Sequence, residues 1–278
     1  MTIGIAAVCE DNGRYAVVMC CDFQGTRGDF FKAEDTDKMR DYDCATLLFA
    51  DEVDAATEFA HRFEAVVREY NAMPKPIEDI DLRYGVYLTK MRQLVRVFIR
   101  ERQSHAIATR FGIDLDEFYS VDAHKKLSAS KYDEIFETAK NVKLGAEILV
   151  VYSGDHAPII MKVTPDGYVS LEDGDFIAIG SGEPIATAAF APDYDTVPKS
   201  LPECILRVWQ AKRWAEANPF VGKFTAMRIL RGGGQKFDLS EEAFDLLSTI
   251  QRVGYSPDAD LRRWHELKSD YLQQAKSR

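Results

Sequence analysis

A hairpin signal near the start of the chain constrains the fold more than any other feature. Two apolar runs, at 3–8 (IGIAAV) and 14–21 (RYAVVMCC), are separated by a polar segment that ends in Asn12-Gly13. Such a pair suits a tight hairpin turn, because glycine accepts the positive φ that the turn requires. The sequence therefore predicts an antiparallel sheet that begins within the first few residues.

Further strands and helices follow in blocks rather than in strict alternation. Short apolar runs predict strands, and apolar residues at helical spacing predict helices. The predicted strands are 44–50, 148–153, 158–163 and 175–180, and the predicted helices are 51–70, about 82–103, 183–191 and 201–217, with two more near 238 and 261–267. Antiparallel strands with two helical groups predict a layered α+β fold.

The domain organisation follows from what separates these blocks. No linker rich in Pro, Gly or Ser divides the 278 residues, so we expect one domain over 1–278. The polar stretch at about 104–145 is expected to be a helical insertion without a core of its own. Residues from about 200 to 278 are expected to form a C-terminal helical extension, in which Asp238 and Glu241 have capping-box spacing.

Composition excludes several classes of function. The formal net charge of −10 argues against a nucleic-acid partner, because phosphate binding needs clustered basic residues. No apolar run approaches the ~20 residues of a membrane helix, and no secretory signal is present, so the expected location is the cytoplasm. The five cysteines lack CxxC spacing and the five histidines are scattered, so we expect no metal site and no cofactor.

Several segments resemble one known family. MTIGIAAV, CDFQGT, TDKM and DFIAIGSGEPIATAAF are similar to parts of the proteasome-type peptidases, which are N-terminal-nucleophile hydrolases. The peptidase subunit of the bacterial ATP-dependent two-component protease and the proteasome β subunit are the closest in character. The resemblance covers about 2–70 and 147–190. It implies a four-layer αββα sandwich, which agrees with the predicted order of elements.

The resemblance also implies partners. Members of the family cleave a peptide or protein substrate inside a closed ring, so we expect a homo-oligomeric ring. An ATP-dependent unfoldase is a further expected partner, although no motif in the chain identifies one.

An active site built on Thr2 is the main functional implication. Once Met1 is removed, Thr2 carries a hydroxyl nucleophile and a free α-amine, whose pKa of ~7.7–8 suits a base near neutral pH. The matching motifs assign Asp22 as the site carboxylate and Lys38 as the lysine that it holds in place. Ser181, between two glycines, resembles the serine that relays protons beside the amine.

Two departures from the family pattern affect the expected activity. Where the family has a turn with glycine after a strand, this chain has Asp51-Glu52. Their backbone N–H groups are the expected oxyanion donors, but two carboxylates would oppose a developing negative charge. The family's second acid–serine pair also has no clean match, and Glu216 is the nearest acid.

The same residues have simpler interpretations when each is taken alone. Thr2 suits a strand, Asp22 a strand end, Lys38 a solvated surface position and Asp51 a helix N-cap. Three hypotheses therefore stay open: a threonine peptidase, a catalytically inactive scaffold or binding protein, and an amidase that uses the same nucleophile on a small non-peptide amide.

Overall fold

A computed structural model describes the chain at 2–23, 25–27, 31–33, 38–42, 45–71, 80–120, 123–152, 157–172, 174–190, 200–232 and 235–253. Met1 and the helix predicted near 261–267 lie outside the described residues.

Two five-stranded antiparallel sheets form the centre of the molecule. In spatial order, the first contains β10 (Phe176–Ile179), β1 (Gly4–Asp11), β2 (Arg14–Asp22), β11 (Thr225–Arg231) and β12 (Gln235–Asp238). The second contains β5 (Met39–Tyr42), β6 (Ala45–Asp51), β7 (Ala146–Tyr152), β8 (Ile159–Val163) and β9 (Val169–Glu172). A separate two-stranded ribbon pairs β3 (Gly25–Arg27) with β4 (Phe31–Ala33).

The helices fall between and after these strands. They are α1 (Val53–Asn71), α2 (Ile80–Phe111), α3 (Leu115–Phe118), α4 (Ala123–Lys126), α5 (Ala129–Lys140), α6 (Glu183–Phe190), α7 (Leu201–Ala215) and α8 (Glu241–Val253). Within the described part of the chain, no helix combines the length and the apolar content that crossing a membrane requires.

The hairpin predicted from Asn12-Gly13 is confirmed. Asp11 of β1 pairs with Arg14 of β2, which leaves a two-residue turn. Asn12 has φ 53° and Gly13 has φ 76°, so both central residues adopt the left-handed conformation that matches the twist of the strands.

Apolar residues on both faces of the two sheets determine how the layers pack. One buried cluster lies between the sheets and includes Met19 of the first sheet and Leu48 of the second. A second cluster joins the other face of the first sheet to α6, α7 and α8, and Trp209 belongs to it. A third joins the other face of the second sheet to α1 and α2 through Phe59 and Phe98. The strands nearest the N-terminus are thus covered on both faces.

The expected all-helical C-terminal extension is wrong. β11 lies inside the first sheet, between β2 and β12. Its residues alternate as a strand requires: Met227 and Ile229 pack towards α7, whereas Arg228 between them pairs with Asp41 and Asp238. The alternating run is short and contains Arg228 and Arg231, so the sequence alone did not mark it as a strand.

The start of the last described helix also differs from the prediction. Asp238 ends β12 rather than opening a helix, and α8 begins at Glu241. The Ser240 hydroxyl accepts a hydrogen bond from the Ala243 N–H at 3.4 Å, so Ser240 occupies the capping position.

The segment at 104–145 contains the end of α2 together with α3, α4 and α5, and it has an apolar cluster of its own. α2 continues to Phe111, and α3, α4 and α5 follow it. Ile107, Phe118 and Ile135 are buried together against these helices. The mixed polarity of the segment hid this cluster, because its few apolar residues are widely spaced.

Candidate active site

Thr2 lies two residues before β1, which has a neighbouring strand on each side. Its exposed fraction is 1%. Its carbonyl oxygen accepts hydrogen bonds from the Gly182 N–H at 3.3 Å and from the Ser181 hydroxyl at 3.4 Å. Gly180 has φ +87°, and a Cβ at this position would lie 2.3 Å from the Thr2 carbonyl oxygen. The Gly-Ser-Gly segment therefore closes onto the Thr2 backbone, and only glycine fits at 180.

The Thr2 hydroxyl lies between the other two predicted site residues. It donates a hydrogen bond to Asp22 Oδ1 and accepts one from Lys38 Nζ. Lys38 Nζ is 2.7 Å from Asp22 Oδ1. Asp22 ends β2 of the first sheet and Lys38 directly precedes β5 of the second, so the cluster joins the two sheets. Asp22, 16 residues before Lys38, and Thr2, 36 residues before it, thus contact the same amino group.

Burial controls the charge of this cluster. Asp22 is fully buried and Lys38 is 3% exposed. Burial lowers the pKa of Lys38 from its usual 10.5, and the adjacent Asp22 carboxylate partly opposes that effect. A buried lysine beside a carboxylate stays charged only because the two groups pair. The solvated surface lysine that the sequence also allowed is therefore not observed.

Asp22 is held by backbone donors as well as by Lys38. Its Oδ1 accepts from the Ile3 N–H at 3.2 Å, and its Oδ2 accepts from the Gly222 N–H at 2.6 Å. Both carboxylate oxygens therefore have partners, which fixes the carboxylate relative to the Thr2 hydroxyl.

Residues 216–224, which follow α7 and are called here the α7 loop, are a part of the site that the sequence interpretation missed. Besides Gly222, the α7 loop contains Asn218, whose Nδ2 donates to the Ser181 carbonyl at 2.7 Å. Asn218 Oδ1 accepts from the Phe220 N–H at 3.0 Å, which folds the loop on itself. The α7 loop thus contacts both Asp22 and Ser181. An Asn-Pro pair after a helix was the only signal of such a turn.

A fully buried lysine supports the α7 loop. Lys212 pairs with Glu216 and donates a hydrogen bond to the Lys223 carbonyl at 2.9 Å. Glu216 also pairs with Arg213 at 2.8 Å. Glu216, the nearest acid to the expected second acid–serine pair, therefore contacts Lys212 rather than Ser181. In the sequence, Lys212 lies between Ala211 and Arg213, and the spacing of the apolar residues in α7 predicted only a helix.

The turn at Asp51 and Glu52 lies beside Lys38, and the three residues line one small cavity. Asp51 ends β6 with φ +74°, a left-handed conformation that usually belongs to glycine. The Glu52 N–H donates to the Gly145 carbonyl at 3.4 Å, so this expected oxyanion donor already has a long hydrogen bond within the protein. The Glu52 carbonyl accepts from the Ala56 N–H at 3.0 Å. Glu52, rather than the predicted Asp51, therefore precedes α1 in the N-cap position.

The half-buried position of Asp51 changes the pKa of its carboxyl group. Burial raises the pKa of Asp51 above its usual 3.8, and nearby positive charges, Lys38 among them, oppose the increase. A cavity of about 10 Å³ lies between Lys38 and the turn, and Phe49 and Ala56 also line it. The space beside Lys38 is therefore narrow and bears a carboxylate.

Cysteine and metal chemistry have little support in the described residues. Cys9, Cys20, Cys21 and Cys204 are buried and form no disulfide with one another, and burial raises the pKa of Cys20 well above its usual value. In the same residues, no three His, Cys, Asp or Glu side chains come together as a metal site.

Comparison with known proteins supports the fold. No protein-family model and no curated protein sequence matches the chain. Among solved structures, the chain is similar to eukaryotic HslV from Trypanosoma brucei, with a TM-score of 0.50 and 17% sequence identity over 82% of this chain and 99% of that one. At this level of identity the likeness concerns the fold alone. The chain therefore has a mixed α/β structure with two antiparallel sheets and a proteasome-like fold.

Proposed function

We propose that the chain is a threonine hydrolase that cleaves peptide bonds of peptide or protein substrates once Met1 is removed. The observation that carries the proposal is the buried Thr2 hydroxyl, which contacts both Asp22 and Lys38. A surface threonine in a strand needs no buried ion pair beside its hydroxyl, whereas a nucleophile needs charges held in fixed positions.

The first half of the proposed reaction forms an ester on Thr2. Removal of Met1 leaves a free α-amine on the same residue as the hydroxyl. The hydroxyl oxygen attacks the substrate carbonyl carbon while its proton passes to the α-amine. The C–N bond of the substrate then breaks, and the leaving amine takes that proton. Charged Lys38 stabilises the negative charge that develops on the Thr2 oxygen.

Water completes the proposed reaction. The α-amine, neutral again, accepts a proton from a water molecule that attacks the ester carbonyl. The ester C–O bond breaks and the Thr2 oxygen regains a proton, which releases the acid product. Asp22 keeps Lys38 in position throughout. The Ser181 hydroxyl donates a hydrogen bond to the Thr2 carbonyl oxygen and so orients the Thr2 backbone.

Stabilisation of the oxyanion falls to the turn beside Lys38. We assign the donor role to the backbone N–H of Asp51, because that of Glu52 already contacts Gly145. The carboxylate of Asp51 opposes the developing charge unless it is protonated, and its raised pKa reduces that opposition in mildly acidic solution.

The finer architecture and the assembly are part of the same proposal. Apolar clusters on both faces of both sheets support a four-layer αββα sandwich, which we take as one domain over 1–278 with an insertion at 104–145. By resemblance to the family, the chain forms a homo-oligomeric ring and works with an ATP-dependent unfoldase. Light scattering after size-exclusion chromatography tests the ring.

Two observations support other functions. The bonded Glu52 N–H and the Asp51 carboxylate favour an inactive scaffold, because both weaken an oxyanion site. The cavity of about 10 Å³ beside Lys38 favours an amidase for a small amide, since it admits little of a large side chain.

Intact mass and covalent labelling test the proposed function. Protein purified from its native host is weighed by mass spectrometry and then treated with a threonine-directed electrophile, in parallel with Thr2→Ala. We expect a mass without methionine and a single label that Thr2→Ala lacks. A full mass with methionine, or equal labelling of both proteins, overturns the threonine mechanism.

A peptide library then separates the peptidase from the amidase. Cleavage of library members by wild-type protein, absent in Thr2→Ala, supports the peptidase. Labelling of Thr2 without any peptide cleavage indicates that the substrate is a small non-peptide amide. A protein that keeps methionine, takes no label and still assembles is the scaffold.

A further inference from the structure

A cleft away from the candidate active site has a charge opposite to that of the protein. It has a volume of about 520 Å³ and lies between α2, α3 and the turn that joins β8 to β9. Arg92, Arg96 and Arg100, four residues apart on one face of α2, line one wall. A chain with a formal net charge of −10 thus presents three guanidinium groups side by side.

These guanidinium groups have few partners in the described residues. Arg100 pairs with Asp116, but both side chains are more than half exposed, so the pair contributes little. Arg92 donates to the Val169 carbonyl at 3.4 Å. No described carboxylate pairs with Arg92 or Arg96. Like charges at i, i+4 spacing destabilise a helix, and a bound anion removes that cost.

The rest of the cleft is apolar and aromatic. Val95, Leu115 and Val169 are buried at its base. Tyr119 and Tyr168 also line it, with exposed fractions of 55% and 64%. A small inorganic anion would leave these surfaces unused. A ligand that fills the cleft therefore combines an anionic group with a planar apolar ring.

The turn that presents Tyr168 is fixed against α2. Gly167 has φ +83°, and a Cβ there would lie 2.2 Å from Ile99 Cδ1. The Gly167 N–H donates to the Thr164 carbonyl at 2.8 Å, and the Tyr168 N–H donates to the Thr164 hydroxyl at 3.1 Å. Because this wall is already formed, ligand binding costs little ordering of the backbone.

We propose that this cleft binds a nucleotide, with the phosphates against Arg96 and Arg100 and the base against Tyr168. Guanidinium groups bind phosphate oxygens in a bidentate manner, and tyrosine rings stack on planar bases. The volume of about 520 Å³ suits a ligand of this size rather than an extended polymer. The proposal does not depend on the hydrolase function.

Calorimetric titration with ADP, adenosine and pyrophosphate at constant ionic strength tests the site. We expect ADP to bind more tightly than pyrophosphate and adenosine to bind least. Arg96→Gln should weaken ADP binding by about tenfold or more, because a charge-assisted contact is lost. Arg110→Gln is the matched control, because it makes the same charge change on α2 outside the cleft and should leave binding unchanged.

Tyr168→Ala separates a nucleotide site from a general anion site. We expect it to weaken ADP binding while leaving pyrophosphate binding unchanged. No ADP binding by the wild-type protein, or equal losses from Arg96→Gln and Arg110→Gln, overturns the proposal. If Arg96→Gln changes the oligomeric state and no ligand binds, the cleft is a contact between copies of the chain, which also overturns it.

Discussion

Asp22 and Asp51 are both acidic residues at strand ends beside the proposed nucleophile, yet their surroundings differ. Asp22 is fully buried, and its two oxygens accept from Lys38, Ile3 and Gly222. Asp51 is half-buried, has φ +74° and has a carboxyl group with a raised pKa. On the Asp22 side of the site, both carboxylate oxygens have hydrogen-bond partners. On the Asp51 side, the turn has a left-handed backbone, and its carboxylate opposes a developing negative charge. In the proposed mechanism, Asp22 and its partners position the Thr2 hydroxyl, and the turn at Asp51 determines how well the oxyanion is stabilised.

Lys38→Ala should have the largest effect, because Lys38 lies between the two sides. Turnover should fall about 10³-fold, since the charge beside the Thr2 oxygen is lost. The unpaired Asp22 should also lower the free energy of unfolding by about 3–5 kcal/mol. Steady-state kinetics and urea unfolding measure both quantities. The control Lys143→Ala removes an exposed lysine that pairs with Asp166; similar turnover in both variants would contradict the assigned role.

Lys212→Met tests whether the α7 loop supports Asp22, because Lys212 contacts the loop but not Asp22 itself. Without the Lys212 contacts the α7 loop loses a support, so Gly222 should bind Asp22 less well. We expect a decrease in kcat between about tenfold and 100-fold, with KM nearly unchanged. The free energy of unfolding should fall by about 3 kcal/mol, the lower end for a broken buried pair, because Glu216 keeps Arg213.

A neighbouring lysine provides the matched control for this variant. Lys223 has an exposed side chain, and only its carbonyl contacts Lys212. Lys223→Ala should therefore keep both stability and kcat. A Lys212→Met protein that is destabilised but has unchanged kcat would show that Lys212 serves the fold alone.

Asp51→Asn tests the role of the Asp51 charge through the pH dependence of activity. Activity needs charged Lys38, so it should be lost as pH rises through the lowered pKa of Lys38, below 10.5. Because the negative charge of Asp51 raises that pKa, Asp51→Asn should move the alkaline limb of kcat to lower pH. If the alkaline limb of the pH–rate profile is unchanged or moves to higher pH, the charge of Asp51 does not raise the pKa of Lys38.

The same variant has an effect on stability that follows from linkage. The folded-state pKa of Asp51 is raised, so its contribution to stability is fully present below the unfolded pKa and is lost as pH rises through the folded value. Asparagine also accepts the left-handed φ of this turn. Asp51→Asn should therefore gain most stability over the wild type at neutral pH, measured by urea unfolding.

Arg102→Gln should have the smallest effect. Arg102 donates to the Leu144 carbonyl at 3.1 Å and lies 3.7 Å from the Glu52 carboxylate, so it supports the turn from outside. These contacts are partly exposed, and their loss should cost about 1 kcal/mol or less. Turnover should change less than about threefold. A loss as large as that of Lys212→Met would show that the turn depends on its outer contacts.

The sequence was most informative where the needed signal is local. Asn12-Gly13 determined the hairpin because turn chemistry involves only adjacent residues. Gly180-Ser181-Gly182 could be associated with Thr2 through the family resemblance. A Cβ at Gly180 would meet the Thr2 carbonyl oxygen, and one at Gly182 would meet the side chains of Ile3 and Val221. The buried position of Lys38 was not evident, because a lysine before a strand usually points to solvent.

Contacts between distant segments limited the prediction. β11 was missed because its pairing partner β2 lies far away in the sequence, and its own alternating apolar run is only a few residues long. Lys212, Asn218 and Gly222 belong to the site through backbone carbonyls and N–H groups, which no side-chain motif encodes. Only the packing of α7 on the first sheet brings them to Asp22 and Ser181.

The position of β11 and the adjoining α7 loop affects how the chain folds while it is being synthesised. Gly222 binds Asp22 across 200 residues, so the carboxylate at the end of the N-terminal hairpin gains that partner only after residue 222 has been synthesised. Pairing at such separation forms slowly and late. A growing chain on the ribosome therefore holds the hydroxyl and both charged groups without their final geometry. Under the proposed function, activity therefore requires the completed first sheet, and we expect a partly synthesised chain not to cleave itself or its neighbours.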